Sequence, residues 1–255
     1  MPTLVQGNGH APTASEAQGR RVILWVDTFN NYLHPNTSQA ALEVLTAAGF
    51  SVVIPGTLLC CGRPLYDFGF LDQAKAYLMR VLDHLGPAID SGTPMVVLEP
   101  SCASVFRDEL RNLFPADARA DRLRRQTFVL SEFLERHAPD YQPPRFSGTV
   151  LLHGHCHQKA LMKMGHEESL LRKMGATLQS PDSGCCGMAG PFGFIADKFA
   201  VSQAVGERVL LPAVRQASSD TLIVADGFSC QEQIQQATGR RAMHLAEAMG
   251  RALKS

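Results

Sequence analysis

The chain has 255 residues, of which 45% are hydrophobic, and carries 24 basic and 24 acidic side chains, so its formal net charge is zero. That length suits one large domain or two domains of about 120 residues each. The balanced charge and the lack of a dense basic run exclude nucleic acid as the expected partner. No apolar stretch approaches about 18 residues and the N-terminus lacks a signal pattern, so we predict a cytoplasmic protein without a transmembrane segment.

The first half of the chain is predicted to alternate strands and helices. Residues 1–19 show no hydrophobic periodicity and predict a disordered tail, and residues 20–138 form the first half. Its predicted elements, in chain order, are a strand at Arg21–Val26, a loop at Asp27–Pro35, a helix near Thr37–Ala48, a strand at Ser51–Ile54, a helix near Leu71–Ile89, a strand at Met95–Leu98, and a further helix opened by Glu99–Cys102.

The second half, residues 148–255, repeats this plan after a proline-containing linker at residues 139–147. Its predicted elements are a strand at Thr149–Leu152, a loop at His153–His157, a helix near Glu167–Met174, a strand at Thr177–Gln179, a helix near Lys198–Gln216, a strand at Thr221–Ala225, and the segment Gly227–Cys230. Strands that alternate with helices pair in parallel through right-handed crossovers. We therefore predict an α/β fold with two similar halves, each a parallel sheet with flanking helices, related by a pseudo-twofold.

All seven cysteines belong to the repeat. Cys60-Cys61-Gly62 recurs 125 residues later as Cys185-Cys186-Gly187, and Cys102 recurs 128 residues later as Cys230. An odd number of cysteines that includes two adjacent pairs is a poor framework for structural disulfides. The pattern favours metal ligands and leaves redox-active thiols and inert core cysteines as alternatives.

The second half supplies the more complete set of thiols. Ligands gather beyond the carboxyl ends of parallel strands, which is where the repeat places Cys156, Cys185, Cys186 and Cys230. These four predict one metal or iron–sulfur site. Cys60, Cys61 and Cys102 form a possible second site, which is incomplete because no cysteine at Phe29–Asn31 corresponds to Cys156.

Several other side chains near the cysteines allow two interpretations. His153, His155 and His157 alternate around Cys156 and either ligate the metal directly or support its ligands through hydrogen bonds. Arg63 either binds an anionic group or partner carboxylate or lies on the surface of a helix. The single tryptophan, Trp25, lies in an apolar strand and is predicted to be a core residue.

At these positions the sequence resembles the cysteine-rich CCG domain family, which includes the cysteine-rich subunit of heterodisulfide reductase, the glycolate oxidase iron–sulfur subunit and lactate-utilisation protein A. The resemblance covers about residues 20–253 and is closest to the C-terminal part of FAD-linked oxidase/iron–sulfur fusion proteins. The matching segments are Trp25–Tyr32, Leu59–Asp67, Glu99–Cys102, His153–Lys159, Ser183–Gly190 and Asp226–Cys230. The family motif closes with Cys-x-x-Cys, whereas this chain has Gly227 and Glu99 at the first position of that pair. The departure puts the five-cysteine noncubane form of the cluster in doubt.

The resemblance implies an iron–sulfur electron-transfer subunit or module of a flavin-dependent dehydrogenase that oxidises a 2-hydroxy acid such as glycolate, lactate or 2-hydroxyglutarate. A [4Fe–4S] cluster would be its cofactor, with zinc as the alternative, and no catalytic residue is assigned to the chain itself. FAD and ferredoxin-type centres would lie on partner chains, through which the protein could associate peripherally with a membrane. Two other functions remain open, a zinc-stabilised interaction module and a thiol–disulfide catalyst like heterodisulfide reductase.

Overall fold

A computed structural model describes residues 20–254 of the chain, so the tail predicted at residues 1–19 lies outside the described residues. The chain divides into two compact units, with the boundary between Pro139 and Asp140. Each unit contains one four-stranded sheet in which every pair of neighbouring strands is parallel. The predicted α/β fold with two similar halves is therefore confirmed.

The first unit contains four strands and nine helices within its described part. The strands are β1 (Arg20–Trp25), β2 (Phe50–Val53), β3 (Met95–Val97) and β4 (Thr127–Phe128). The helices are α1 (Thr28–Tyr32), α2 (Pro35–Ala47), α3 (Arg63–Asp67), α4 (Leu71–His84), α5 (Gly86–Asp90), α6 (Pro100–Ser104), α7 (Leu110–Leu113), α8 (Ala118–Gln126) and α9 (Leu130–His137). A π-helical turn at Val105–Glu109 joins α6 to α7.

The second unit, as far as it is described, has four strands and five helices. The strands are β5 (Gly148–Leu152), β6 (Ala176–Gln179), β7 (Leu222–Val224) and β8 (Ala242–Met243). The helices are α10 (Gly165–Met174), α11 (Ala196–Gly206), α12 (Leu210–Gln216), α13 (Phe228–Thr238) and α14 (Leu245–Ala252). A π-helical turn at Gln158–Met162 precedes α10, and a 3₁₀ turn spans Phe192–Phe194.

The two sheets share one topology. Their strand orders are β2-β1-β3-β4 and β6-β5-β7-β8, so in each sheet the chain moves outwards from its first strand in one direction and then in the other. The direction reverses between β1 and β3 and between β5 and β7, whose last paired residues are Trp25 with Val97 and Leu152 with Val224. A crevice forms beyond the carboxyl ends of strands at such a reversal. Each unit therefore has one preferred place for a ligand.

The central strands form the core because they are apolar on both faces. Val22, Leu24, Met95 and Val97 are fully buried in the first sheet, as expected for parallel strands covered by helices on both sides. Trp25 is 1% exposed and meets the ring of Phe106 edge-on at 4.8 Å between centroids. The prediction that Trp25 is a core residue is confirmed.

Two predicted helices are each interrupted. The helix predicted at Leu71–Ile89 is the pair α4 and α5, which meet at Leu85, where a glycine and a proline follow. The helix predicted at Lys198–Gln216 is the pair α11 and α12, since Pro212 lacks the N–H that a continuous helix would need. Gly206, at the end of α11, also lets the backbone of the Cys-Cys-Gly loop pack closely against the helix. A Cβ at this position would lie 2.8 Å from the carbonyl oxygen of Cys186.

Candidate metal centre

The candidate centre lies in the second unit, beyond the carboxyl ends of β5, β6 and β7. Cys156 follows β5, Cys185 and Cys186 lie in the loop after β6, and Cys230 lies in the first turn of α13 after β7. The four cysteines thus arise from three loops at one edge of one sheet.

The thiols of these four cysteines contact one another in a row. Cys156 hydrogen bonds with Cys185, Cys185 with Cys186, and Cys186 with Cys230. Cys186 and Cys230 are buried, Cys156 and Cys185 are half-buried, and none of the seven cysteines forms a disulfide. The structure therefore brings all four predicted residues to one place, with one end of the row partly open to solvent.

His153 completes the buried end of the row. One of its ring nitrogens and the Sγ atoms of Cys186 and Cys230 all lie within 4.8 Å of one another. Nδ1 is 2.8 Å from the hydroxyl of Ser183, and a hydrogen bond between His153 and Cys230 contributes to the lowered pKa of that thiol. A buried imidazole beside two thiols fits both interpretations of His153, that of a direct metal ligand and that of a hydrogen-bonding support for a ligand thiolate.

Ser183 hydrogen bonds with the His153 ring and is itself hydrogen bonded to Lys159. The ammonium group of Lys159 donates to the backbone oxygen of Ser183 and lies 3.4 Å from its hydroxyl. A hydrogen bond on one ring nitrogen orients the imidazole and fixes which nitrogen faces the metal. Sequence reasoning missed Ser183, because its contact with His153 is not local in the chain.

His155 occupies the space beside Gly227. A Cβ at Gly227 would lie 2.4 Å from Cδ2 of His155, so any larger residue there would displace the ring. The backbone N–H of His157 donates to Nδ1 of His155 at 3.2 Å, which leaves Nε2 as the protonated nitrogen of the neutral ring. An imidazole that packs against the N-cap of α13 therefore stands where the resemblance would place a cysteine side chain.

Gly187 allows the loop to present Cys185 and Cys186. Its φ of 97° is in the left-handed region, and a Cβ there would lie 2.1 Å from the carbonyl oxygen of Ser202. Its N–H donates to the sulfur of Cys185 at 3.3 Å. The glycine in the Cys-Cys-Gly motif is thus required for close packing of the loop on α11.

The surroundings stabilise the thiolate form of two of the four cysteines in this unit, Cys185 and Cys230. Hydrogen bonds with Cys156 and Cys186 lower the pKa of Cys185, and His155 lowers it further. A hydrogen bond with Cys186 lowers the pKa of Cys230 well below its usual range, with His153 and His155 adding to the effect. Their neighbours Cys156 and Cys186 have raised pKa values, because each hydrogen bonds with Cys185 and is partly or fully buried.

The corresponding cysteines of the first unit have acidic surroundings. Cys61 and Cys102 lie 3.0 Å apart, and Cys60 accepts from the N–H of Gly62 at 3.5 Å. Hydrogen bonding with Cys61 raises the pKa of Cys60, and hydrogen bonding with Cys102 raises that of Cys61. Although the hydrogen bond with Cys61 lowers the pKa of Cys102, burial and the carboxylates of Asp27 and Glu99 raise it to about 11. The first unit therefore gathers its three cysteines but favours their protonated form.

Arg63 is engaged within the first unit. Its guanidinium pairs with Asp67 at 2.9 Å and with Glu109, and its side chain is 16% exposed. These contacts connect α3 to the π-helical turn. Of the two interpretations of Arg63, the structure supports a side chain that lies against its own helix. Its ion pairs join α3 to the π-helical turn.

The donor atoms of the second unit suit a metal or iron–sulfur group. Among the described residues, the only group of three or more potential ligands that could hold a metal ion is His153, Cys186 and Cys230, to which Cys185 and Cys156 are connected by thiol contacts. Thiolate and imidazole donors are those of zinc and iron–sulfur sites. Over residues 20–254, no helix is both long and apolar enough to cross a membrane.

Comparisons with known proteins agree with this arrangement. A family model described as the CCG cysteine-rich domain matches residues 27–107 and 150–250. One subunit of the anaerobic glycerol-3-phosphate dehydrogenase of Escherichia coli is 28% identical over 246 residues, which are 94% of this chain and 61% of that protein. D-2-hydroxyglutarate dehydrogenase of Pseudomonas putida is 25% identical over 90% of this chain and 22% of its own length.

A third relative is lactate utilization protein A of Anoxybacillus flavithermus, which is 27% identical over 89% of this chain and 98% of its own length. The chain thus spans 61% of the length of the first of these relatives and nearly all of the third. The family model covers both units, including both Cys-Cys-Gly segments and the histidines around Cys156. The chain belongs to the cysteine-rich CCG domain family.

Proposed function

We propose that the protein is an iron–sulfur electron-transfer subunit or module of a flavin-dependent dehydrogenase that acts on a 2-hydroxy acid. The observation that carries the proposal is the convergence of four thiols and the buried imidazole of His153 at the strand reversal of the second unit. A buried group of soft donors, two of them thiols with lowered pKa values, is what a cluster needs.

Cys156, Cys185, Cys186 and Cys230 would hold a [4Fe–4S] cluster, with His153 beside Cys186 and Cys230. When bound, such a cluster accepts and releases single electrons. The protein lowers the pKa of Cys185 and Cys230 so that their thiolates are available, and it buries Cys186, Cys230 and His153 away from water. Cys60, Cys61 and Cys102 remain a possible second site, disfavoured by the carboxylates of Asp27 and Glu99.

The names of the relatives support a role in a dehydrogenase. One is called a subunit of glycerol-3-phosphate dehydrogenase, one a D-2-hydroxyglutarate dehydrogenase, and one a lactate utilization protein. We propose that the partner carries FAD and oxidises the substrate, and that a ferredoxin-type chain and a membrane-bound acceptor complete the path. Thiolate clusters persist under reducing conditions, so we place the protein in the cytoplasm.

The thiol–disulfide alternative has one observation in its favour, the lowered pKa of Cys185 next to the thiol of Cys186. Zinc would satisfy the same donors without redox activity. Iron and acid-labile sulfide analysis of anaerobically purified protein separates the three. Iron and sulfide in about four equivalents each support the cluster, zinc alone supports the interaction module, and no metal supports the thiol catalyst.

The electron-transfer role is tested on the same preparation. We expect visible absorption that bleaches when a reduced flavoprotein partner is added anaerobically and returns on oxidation. A cluster that is bound but cannot be reduced by the flavoprotein contradicts the relay role, even if the metal analysis succeeds.

A further inference from the structure

Lys159 places a positive charge beside the second-unit cysteines, and the proposed function has not used it. The residue is half-buried and lies in the π-helical turn, three residues after Cys156. Its ammonium group donates to the backbone oxygen of Ser183 and lies 3.4 Å from the Ser183 hydroxyl. Ser183 is two residues before Cys185, so the ammonium group contacts the start of the segment that carries Cys185 and Cys186.

The contacts of Ser183 connect this ammonium group to the thiols. The Ser183 hydroxyl is 2.8 Å from Nδ1 of His153, and His153 hydrogen bonds with Cys230. Lys159, Ser183, His153 and Cys230 therefore form one continuous series of contacts. It runs from a half-buried cation to the buried end of the thiol row.

The side chain of Lys159 packs against the bare backbone of Gly154. A Cβ at Gly154 would lie 2.9 Å from Cε of Lys159 and 2.5 Å from Sδ of Met164, so a larger residue there would displace both side chains. Gly154 lies between His153 and His155 in the segment that follows β5. The lysine thus lies along the segment that leads to the thiols, and this packing restricts where its charge can be.

No carboxylate in residues 20–254 balances the charge of Lys159. The acceptors of its ammonium group there are both on Ser183, and no aspartate or glutamate forms an ion pair with it. The buried carboxylate of Glu167 accepts from Gln158 instead, and that of Asp226 accepts from a backbone N–H. Burial of a cation without a counter-charge costs free energy. The thiolates of the row can supply that counter-charge.

The first unit has no such cation at the corresponding position. Lys159 follows β5 by the same seven residues by which Tyr32 follows β1. The charged side chains near the first-unit thiols are those of Asp27 and Glu99, which are acidic. The lysine is therefore particular to the unit with the complete set of thiols and does not follow from the shared fold.

We propose that Lys159 is a positioning residue that raises the reduction potential of the second-unit site. This inference rests on the proposed iron–sulfur function. Reduction adds one electron, supplied by the flavoprotein, to a site whose thiolates are already negative, and a nearby positive charge stabilises the added charge. Lys159 also holds Ser183, which orients the ring of His153 beside the sulfur atoms. It is not a metal ligand, because an ammonium group has no lone pair.

Three substitutions of Lys159 test this role in the anaerobically purified, cluster-loaded full chain. Lys159→Met keeps the length of the side chain and removes its charge, Lys159→Gln removes the charge but keeps an N–H donor, and Lys159→Arg keeps the charge. At a fixed applied potential we expect the ratio of reduced to oxidised cluster to fall about tenfold in the two neutral variants, which is about 59 mV for a one-electron couple. The ratio in Lys159→Arg should stay close to that of the parent.

Lys163→Met is the matched control. Lys163 lies four residues later, is exposed and donates to the backbone oxygen of Ala160, so solvent screens its charge and the ratio should not change. An unchanged ratio in the neutral variants, an equal fall in Lys163→Met, or a fall in Lys159→Arg as large as in Lys159→Met would each overturn the proposal. If Lys159→Met does not fold, Lys159→Gln decides it.

Iron and acid-labile sulfide content separates this inference from the function on which it rests. We expect the three Lys159 variants to keep the cluster content of the parent. Loss of the cluster from both neutral variants, with the parent retaining it, would show that Lys159 holds the site together and would overturn the tuning role alone. A parent protein without a reducible cluster would refute the proposed function and this inference with it.

Discussion

Cys186 connects the two ends of the thiol row, because it hydrogen bonds with both Cys185 and Cys230. It is 3% exposed, so a lost ligand at this position cannot be replaced easily by water. We expect Cys186→Ser to abolish bound metal. Cys61→Ser, the matched change in the first unit, should leave most of it, since the first-unit thiols favour protonation. Analysis of iron and acid-labile sulfide per chain measures the loss in each variant. Equal losses in the two variants would contradict the expectation that the second-unit site binds most of the metal.

His153 lies beside Cys186 and Cys230, where it either ligates the metal or supports a ligand thiolate, and substitution separates the two roles. If its Nε2 ligates the metal, His153→Ala should weaken metal binding by more than the roughly 10–100-fold expected for a supporting residue. The electron paramagnetic resonance spectrum of any reduced cluster that remains should change as well. His84→Ala, on an exposed residue of the first unit, is the control. An unchanged spectrum with only a small loss of affinity would return His153 to a supporting role.

The loop from Cys185 to Gly193 depends on the backbone conformation of Gly187. Gly187→Ala places a methyl group 2.1 Å from the carbonyl oxygen of Ser202 and requires a φ of 97°. We expect it to lower the free energy of unfolding by at least about 2 kcal/mol and to reduce metal content. Gly184→Ala, three residues earlier with no atom within 4 Å and no positive φ, should change stability by less than about 0.5 kcal/mol. Chemical denaturation of the two variants checks the difference.

The N-terminus of α1 gives the first unit a pH dependence. Burial, followed by the nearby Glu99, raises the pKa of Asp27 from 3.8 to about 6. The folded protein therefore binds a proton more tightly at this position than the unfolded chain. The resulting stability is complete below about pH 4 and lost as the pH rises to about 6, at most about 3 kcal/mol.

Asp27→Asn should remove this contribution to the pH dependence. The variant, relative to the parent, should gain stability between pH 4 and pH 7, as measured by denaturant unfolding at each pH. A constant difference between the two proteins over that range would show that Asp27 titrates normally. The difference in the free energy of unfolding between the two proteins isolates the effect of Asp27, because other groups that titrate in this pH range affect both proteins alike.

Strand periodicity and the spacing of the cysteines were enough to predict three of the four strands of each sheet and the segments that carry the thiols, but the loop prediction for Asp27–Pro35 was wrong, because this segment contains α1. They did not predict β4 and β8, which have two residues each, nor the helices α8, α9 and α14 that accompany them. Two residues are too few to show alternation. The helix breaks near Gly86 and Gly206 depend on how the backbone packs, as the closeness of Gly206 to Cys186 shows.

The two units of the chain share one topology and differ in the charged and titratable side chains around their cysteines. Histidines at positions 153 and 155 surround the second set, whereas Asp27 and Glu99 surround the first. The sequence reveals this contrast only once the fold shows which loops meet. For the same reason the pairing of His153 with Ser183, 30 residues away, could not be predicted.

We expect the chain by itself to be unable to oxidise hydroxy acids. Removal of hydride from a carbon that bears a hydroxyl needs a two-electron acceptor and a positioned base, and an iron–sulfur centre takes one electron at a time. The second-unit site offers thiols and imidazoles that contact one another, with His153 committed to Ser183. We therefore expect the metal-loaded protein to show no turnover of glycolate, D- or L-lactate or 2-hydroxyglutarate with a dye acceptor, and to support turnover when the flavoprotein is added. Oxidation of any of these acids by the chain alone would show that the site performs substrate chemistry of its own.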